Sequence, residues 1–131
     1  MRFLLDSDWI IDATIGIPDA LRAIEDTRPE GIAVSTAAMA EIFEGAYVLA
    51  DPSAGLMTYR RILAGCIVLD ITEPIAETFA KIRFALRKQG NLIPDMDLLI
   101  VATALTFDLT LLTRNRRHFN RVAGLRLYQT A

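Results

Sequence analysis

The chain is short of several residue types that catalytic and secreted proteins rely on: it has one cysteine, one histidine and, among 14 basic residues, only two lysines. With Cys66 alone no internal disulfide can form, and its neighbours Gly65, Ile67 and Val68 suit a buried thiol. A single histidine, His118, argues against metal-free RNA cleavage by a pair of acid–base imidazoles, and it reads as a polar surface residue near the last helix. No nucleophile elbow of the serine-hydrolase kind is present. Long apolar runs are missing too. The longest, Leu98 to Phe107, is about half of the roughly 18 to 20 residues that a spanning helix needs, so no membrane span is expected. Near the start, Asp6 and Asp8 interrupt the apolar triplet after Arg2 before any signal-peptide core of about 7 to 15 residues. The expected location is cytoplasmic. Repeats, low-complexity tracts and domain boundaries are also absent, and a chain of 131 residues suits one domain spanning 1–131.

What is present is unevenly charged. The net charge is −2, but the first 79 residues carry 13 acids against 5 bases, and the remaining segment 9 bases against 3 acids. Twelve of the cations are arginine, whose planar fork matches phosphate oxygens and stacks on bases. That composition is compatible with nucleic acid. It equally describes a solvated helix face for Arg83, Arg87 and Lys88.

Apolar runs at Phe3 to Leu5, Ile32 to Ser35, Ile67 to Ile71, Leu109 to Thr113 and Leu125 to Tyr128 alternate with helical patterns, the signature of an α/β fold. Runs such as IAVS, IVLDI and LTLLT are continuous rather than alternating, as in strands covered on both faces. They predict a central parallel sheet of four to five strands. Pro18 opens a helix through Glu25, and Ser35 caps one running to about Leu49. Pro52 or Ser53 starts another, and Pro74 begins a long amphipathic segment that Gly90 stops.

In an open parallel sheet, ligands bind beyond the carboxyl ends of the strands. Asp6 follows the first run, Ser35 and then Glu41 the second, and Thr113 and Asn115 the fourth. Asp97 occupies the first turn of the helix DLLIVATALTF, which is otherwise apolar all round and therefore central. Asp95 lies about 200° from it around the helix and reads as an N-cap, with a supporting place near a metal as the other option. Singly, each acid has a plain structural reading as a turn former, cap or solvated charge. Gathered at one sheet edge they repel one another unless a cation intervenes, and carboxylate oxygens suit Mg²⁺ or Mn²⁺.

These segments resemble the PIN-domain family, and within it the toxin half of VapBC toxin–antitoxin modules. LLDSDWIID resembles the family's opening strand with its first acid, Asp6, and VSTAAMAEIFEGA its second motif, with Glu41. IPDMDLLIVATAL is similar to the central-helix motif with Asp97. LLTRNRRHF is similar to the final motif, with Thr113, Asn115 and Phe119. Asn115 is a departure, since many members carry a fourth acid there. It retains an oxygen donor but not the charge.

The resemblance implies a three-layer α/β/α fold and a metal-dependent endoribonuclease, with Asp6, Glu41, Asp97 and Asn115 as the catalytic set. Asp6, Asp97 and, directly or through water, Glu41 would hold Mg²⁺ or Mn²⁺. Asp95, Thr113 and Ser35 would support them, and Arg114, Arg116 and Arg117 would contact RNA phosphates. It further implies products with 5′-phosphate and 3′-hydroxyl ends, a homodimer, and a cognate antitoxin covering the acidic cleft. Ile42, Phe43, Tyr47, Met57 and Tyr59 are candidates for its apolar groove. Two other readings stay open: a catalytically inactive PIN-fold interaction module, motivated by Asn115, and an Asp-nucleophile phosphatase. The second rests on the similarity of LLDSDW to the Asp-x-Asp strand of haloacid-dehalogenase-type enzymes, with Asp6 as nucleophile and Asp8 as acid.

Overall fold

A computed structural model describes residues 1–129. Five short strands, β1 (Phe3–Leu5), β2 (Ile32–Ser35), β3 (Ile67–Leu69), β4 (Thr110–Leu112) and β5 (Arg126–Leu127), form one sheet. Every pairing is parallel, in the order β3-β2-β1-β4-β5. The chain builds outward from β1 to β3, crosses back, and adds β4 and β5 on the other side of β1. The strand order therefore reverses at β1, the place where an open α/β sheet leaves a crevice at its carboxyl edge.

Helices α1 (Ser7–Thr14) and α2 (Pro18–Thr27) join β1 to β2, and α3 (Thr36–Ala46) and α4 (Pro52–Leu63) join β2 to β3. The return to β4 runs through α5 (Glu73–Lys88) and α6 (Asp95–Thr106), and a short α7 (Arg116–Phe119) precedes β5. Local chemistry sets these boundaries. Ser35 caps α3 by accepting from the Ala38 amide at 3.1 Å, and Asp51 caps α4 by accepting from Ala54 at 3.1 Å, each satisfying a free helix-end donor. Gly90, at φ 64°, ends α5 in the left-handed conformation that glycine adopts without strain.

The core lies on both faces of the three central strands. Leu4, Leu5, Val34, Leu111 and Leu112 are fully buried, as are Ile10, Ile42, Leu98, Ile100 and Val101 from the helices. Each such side chain contributes about 1.5–3 kcal/mol relative to exposure. Three expectations need correcting. The run IVLDI does not form a strand covered on both faces: β3 is the sheet edge, and Ile67 and Val68 are 48% and 44% exposed. Helix α3 stops at Ala46, short of Leu49. Asp95 does not cap α6; Pro94 holds the cap position and Asp95 is the first helical residue.

Candidate active site

Asp6 directly follows β1, at the cap position of α1, and is 4% exposed. Its amide donates to the Leu112 carbonyl at 2.9 Å, continuing the β1–β4 ladder by one step. That register places Asp6 beside Thr113, whose Oγ1 donates to Asp6 Oδ2 at 2.7 Å. Asp6 Oδ1 accepts from the Ser7 amide at 2.8 Å. The Thr113 hydroxyl in turn accepts from the Asn115 amide at 3.0 Å. One short relay thus fixes both the first carboxylate and the loop after β4.

Asp97 approaches from the first turn of α6 with its side chain 15% exposed. Its Oδ2 lies 2.9 Å from His118 Nδ1 and 3.5 Å from Asn115 Nδ2. Asn115 Nδ2 is also 2.8 Å from the same imidazole nitrogen. Nδ1 donates to Asp97 when it carries the proton and accepts from Asn115 when bare. Glu41 joins from the second turn of α3, its Oε1 accepting from Ser7 Oγ at 3.4 Å.

The three acids feel one another. Burial raises the Asp6 carboxyl above its ordinary range, and the Asp97 charge adds to this against the bonds from Thr113 and Ser7. Glu41 is raised by burial and then by Asp6 and Asp97. Among the described residues no lysine or arginine forms an ion pair with any of them. Hard, mutually repelling oxygen donors at a sheet edge suit Mg²⁺ or Mn²⁺, so the donor chemistry fits such an ion. The side-chain arrangement is not closed around one: among the described residues no three His, Cys, Asp or Glu side chains converge on a common point.

The other candidates divide. Thr113 sits in the relay, 6% exposed. Ser35 is fully buried and its hydroxyl is spent on the α3 cap. Asp95 turns away, accepting from Arg83 Nε at 3.0 Å with its side chain 65% exposed. Arg116 donates to the Tyr128 carbonyl at 3.2 Å, while Arg117 is exposed.

Arg114 requires a correction. Its guanidinium is bound to two carboxylates of this chain, Asp12 at 2.7 Å and Asp19 through a two-bond fork at 2.7 and 2.8 Å. It also stacks 4.2 Å from the Trp9 ring centroid. With its donors so engaged it does not present an open fork to phosphate. The Arg114 amide donates to Asp8 Oδ2 at 2.9 Å, while Asp8 Oδ1 and Trp9 Nε1 are buried without a partner. Burial, then the Asp6 charge, raises Asp8 to about 7. Asp19 is held below its ordinary value by the Arg114 bonds.

His118 is the functional-site neighbour that sequence reasoning missed by placing it at the surface. A signal existed: His118 follows Asn115, the N-cap of α7, by three residues, a spacing that lets the two side chains meet. Of the proposed groove residues, Ile42 and Tyr59 belong to the core, at 0% and 7% exposure, and Phe43 is half-buried beneath Arg60. Tyr47 and Met57 remain exposed.

An open parallel sheet with carboxylates gathered where its strand order reverses defines an α/β protein with an acidic centre at its switch point. The family model described as the PIN domain matches residues 3–125, and the chain belongs to that family. It is 29% identical over 126 residues to "Ribonuclease VapC2" of Haemophilus influenzae, covering 96% of each chain. It is 27% identical over 126 residues to the "tRNA(fMet)-specific endonuclease VapC" of Shigella flexneri, again covering 96% of each. Its fold is similar to that of VapBC2 from Rickettsia felis bound to a DNA fragment from its promoter, with a TM-score of 0.90, 24% identity and 98% coverage of each chain.

Proposed function

We propose that this chain is a divalent-metal-dependent endoribonuclease acting as the toxin of a type II toxin–antitoxin pair. The observation that supports the reading is the group of Asp6, Glu41 and Asp97, distant in sequence, near one another at the switch point, and without a lysine or arginine ion pair among the described residues. Full-length similarity to proteins named as ribonucleases supports RNA as the substrate.

Asp6, Asp97 and Glu41, directly or through water, would hold Mg²⁺ or Mn²⁺. Such an ion supplies Lewis acidity toward a phosphate and acidifies an attacking water. The chain's own groups do the positioning. Thr113 locks one oxygen of Asp6 and the Ser7 amide the other, so that carboxylate cannot rotate away. Asn115 and His118 bracket Asp97 and fix its approach. Arg116 and Arg117, on the helix that follows, offer positive charge to the RNA backbone. The phosphatase reading loses its lysine, since Lys81 pairs with Glu77 on the exposed face of α5 and Lys88 lies over Phe84.

The partner reading follows from similarity to chains solved in VapBC complexes. An antitoxin segment would cover the acidic edge, with the exposed Tyr47 and Met57 available to its apolar side chains. A homodimer is the expected free state, checked by light scattering. The catalytic reading is tested by incubating purified, partner-free protein with total RNA in Mn²⁺, Mg²⁺ or excess chelator. Fragments with 5′-phosphate ends are expected in metal and none in chelator. Intact RNA under all three conditions would favour the interaction-module reading.

A further inference from the structure

We propose that Arg114 is a positioning residue, clamping the loop between β4 and α7 onto α1 and α2 so that Thr113 and Asn115 meet Asp6 and Asp97 in register. This inference rests on the ribonuclease reading for its kinetic part and on geometry alone for the rest.

Thr113 and Asn115 flank Arg114 in a loop that follows a strand of only three residues. Their own bonds within the relay are single contacts on the buried side. Arg114 ties the same loop down on the opposite, outer side through four attachments. Its amide binds Asp8, its Nε binds Asp12, its fork takes both oxygens of Asp19, and its plane stacks on Trp9. Asp8 and Asp12 lie four residues apart on α1, and Asp19 lies in the first turn of α2. One side chain thus bridges both helices to the loop. Only a planar guanidinium can serve two carboxylates and an aromatic face at once; an ammonium is a point charge and cannot reproduce the fork. Trp9 is 3% exposed and gives the stack a fixed floor. Displacements of about 1 Å in a catalytic constellation cost on the order of 100-fold in rate, so a loop held only from inside would be slow.

The test compares Arg114→Ala, Arg114→Lys, Asp19→Ala and the double variant Arg114→Ala/Asp19→Ala with the wild type, each confirmed folded by circular dichroism. Two readouts are used: RNA cleavage in Mn²⁺, and amide hydrogen exchange of segment 113–119 without RNA. The expected result is a loss of kcat of about 10- to 100-fold in Arg114→Ala with KM retained, little recovery in Arg114→Lys, and faster exchange in the segment. Asp19→Ala should lose rate in the same sense, and the double variant should be no worse than Arg114→Ala. A raised KM and a weaker salt dependence in Arg114→Ala, with Asp19→Ala unaffected, would overturn the proposal in favour of a phosphate contact. Wild-type kcat and exchange in both Arg114→Ala and Asp19→Ala would also overturn it. If Arg114→Ala fails to fold, Asp19→Ala, altered only at a partly exposed carboxylate, carries the comparison. A wild type that cleaves no RNA overturns the ribonuclease reading, while the exchange measurement still decides the clamp.

Discussion

Two groups of three carboxylates lie side by side in this molecule, and the fold treats them in opposite ways. Asp8, Asp12 and Asp19 receive an arginine from the chain itself, with short bonds to two of them from the guanidinium and to the third from the backbone amide. Asp6, Glu41 and Asp97 receive hydroxyls, an amide and an imidazole, but no lysine or arginine partner among the described residues. A structural acidic cluster is neutralised from within, because burying uncompensated charge is costly. Asp6 and Glu41, without such a partner, have carboxyls raised by burial and by neighbouring charge, as has Asp8, which the guanidinium does not reach. The difference is that a guanidinium of the chain compensates Asp12 and Asp19, whereas in the proposed reading a cation from solution would do so for Asp6, Glu41 and Asp97.

The largest expected effect breaks this comparison at its catalytic side. Asp97→Asn should reduce RNA cleavage in Mn²⁺ by at least about 1000-fold, as removal of a group acting in the transition state does, without lowering the melting temperature of the metal-free protein. Loss of activity together with a collapse in stability would mean that Asp97 belongs with the structural acids. Next in size is the response to metal. Saturating Mn²⁺ should raise the melting temperature of the wild type by several degrees, since a ligand at 100 times its Kd stabilises by about 2.7 kcal/mol, and Asp97→Asn should lose most of that rise. An equal rise in both proteins would place the ion elsewhere.

The pH dependence sharpens the contrast further. The folded carboxyls of Asp6, Asp8 and Glu41 lie above their ordinary values, Asp8 at about 7. Unfolded, they titrate near about 4. Between those limits the folded protein binds more protons, so metal-free stability should rise as pH falls from about 7.5 toward about 5. Asp19, lowered by Arg114, acts in the other sense. Its contribution is present above its unfolded value and is lost as pH falls through its folded value, so the gain should reverse in stronger acid. With Mn²⁺ present the first slope should flatten in part, because the ion competes with protons for the oxygens of Asp6 and Glu41 but not for those of Asp8. Urea midpoints across this range, with and without metal, check both signs. A flat metal-free profile would refute the raised carboxyls that burial and neighbouring charge assign to Asp6, Asp8 and Glu41.

Much of this arrangement was legible in the sequence, and the reasons are local. Strands central to the sheet are continuous apolar runs, and acids directly after them mark the carboxyl edge; Asp6 and Thr113 were readable that way. Asp97 stood out because a helix that is apolar all round has no solvated face for an acid to occupy. Glu41 was placed near the same edge by its position after β2, but one acid on the second turn of a helix looks like many others, and the family motif was what singled it out. The edge position of β3 was not legible, because IVLDI has the composition of a central strand and only the sheet order exposes it. The Arg114 clamp was hidden for another reason. Its partners Asp12 and Asp19 lie 102 and 95 residues away, and three arginines within four positions look interchangeable until the backbone aims each one.

That non-equivalence supplies the smallest prediction. Arg117 is exposed and without a carboxylate partner among the described residues, whereas Arg114 is held by two. Only a cation free to reach a phosphate can release counterions from a nucleic acid. Arg117→Ala should therefore lower the slope of log affinity against log salt by about 0.7, the share of one phosphate on a single strand, and weaken binding evenly across RNA sequences. Arg114→Ala should leave that slope unchanged while slowing cleavage. Fluorescence anisotropy on a labelled oligonucleotide in Ca²⁺, over a range of salt concentrations, separates the two. Equal slopes for both variants and the wild type would show that Arg117 does not carry a phosphate contact, and Arg116 and the basic surface of α5 would be the next places to look.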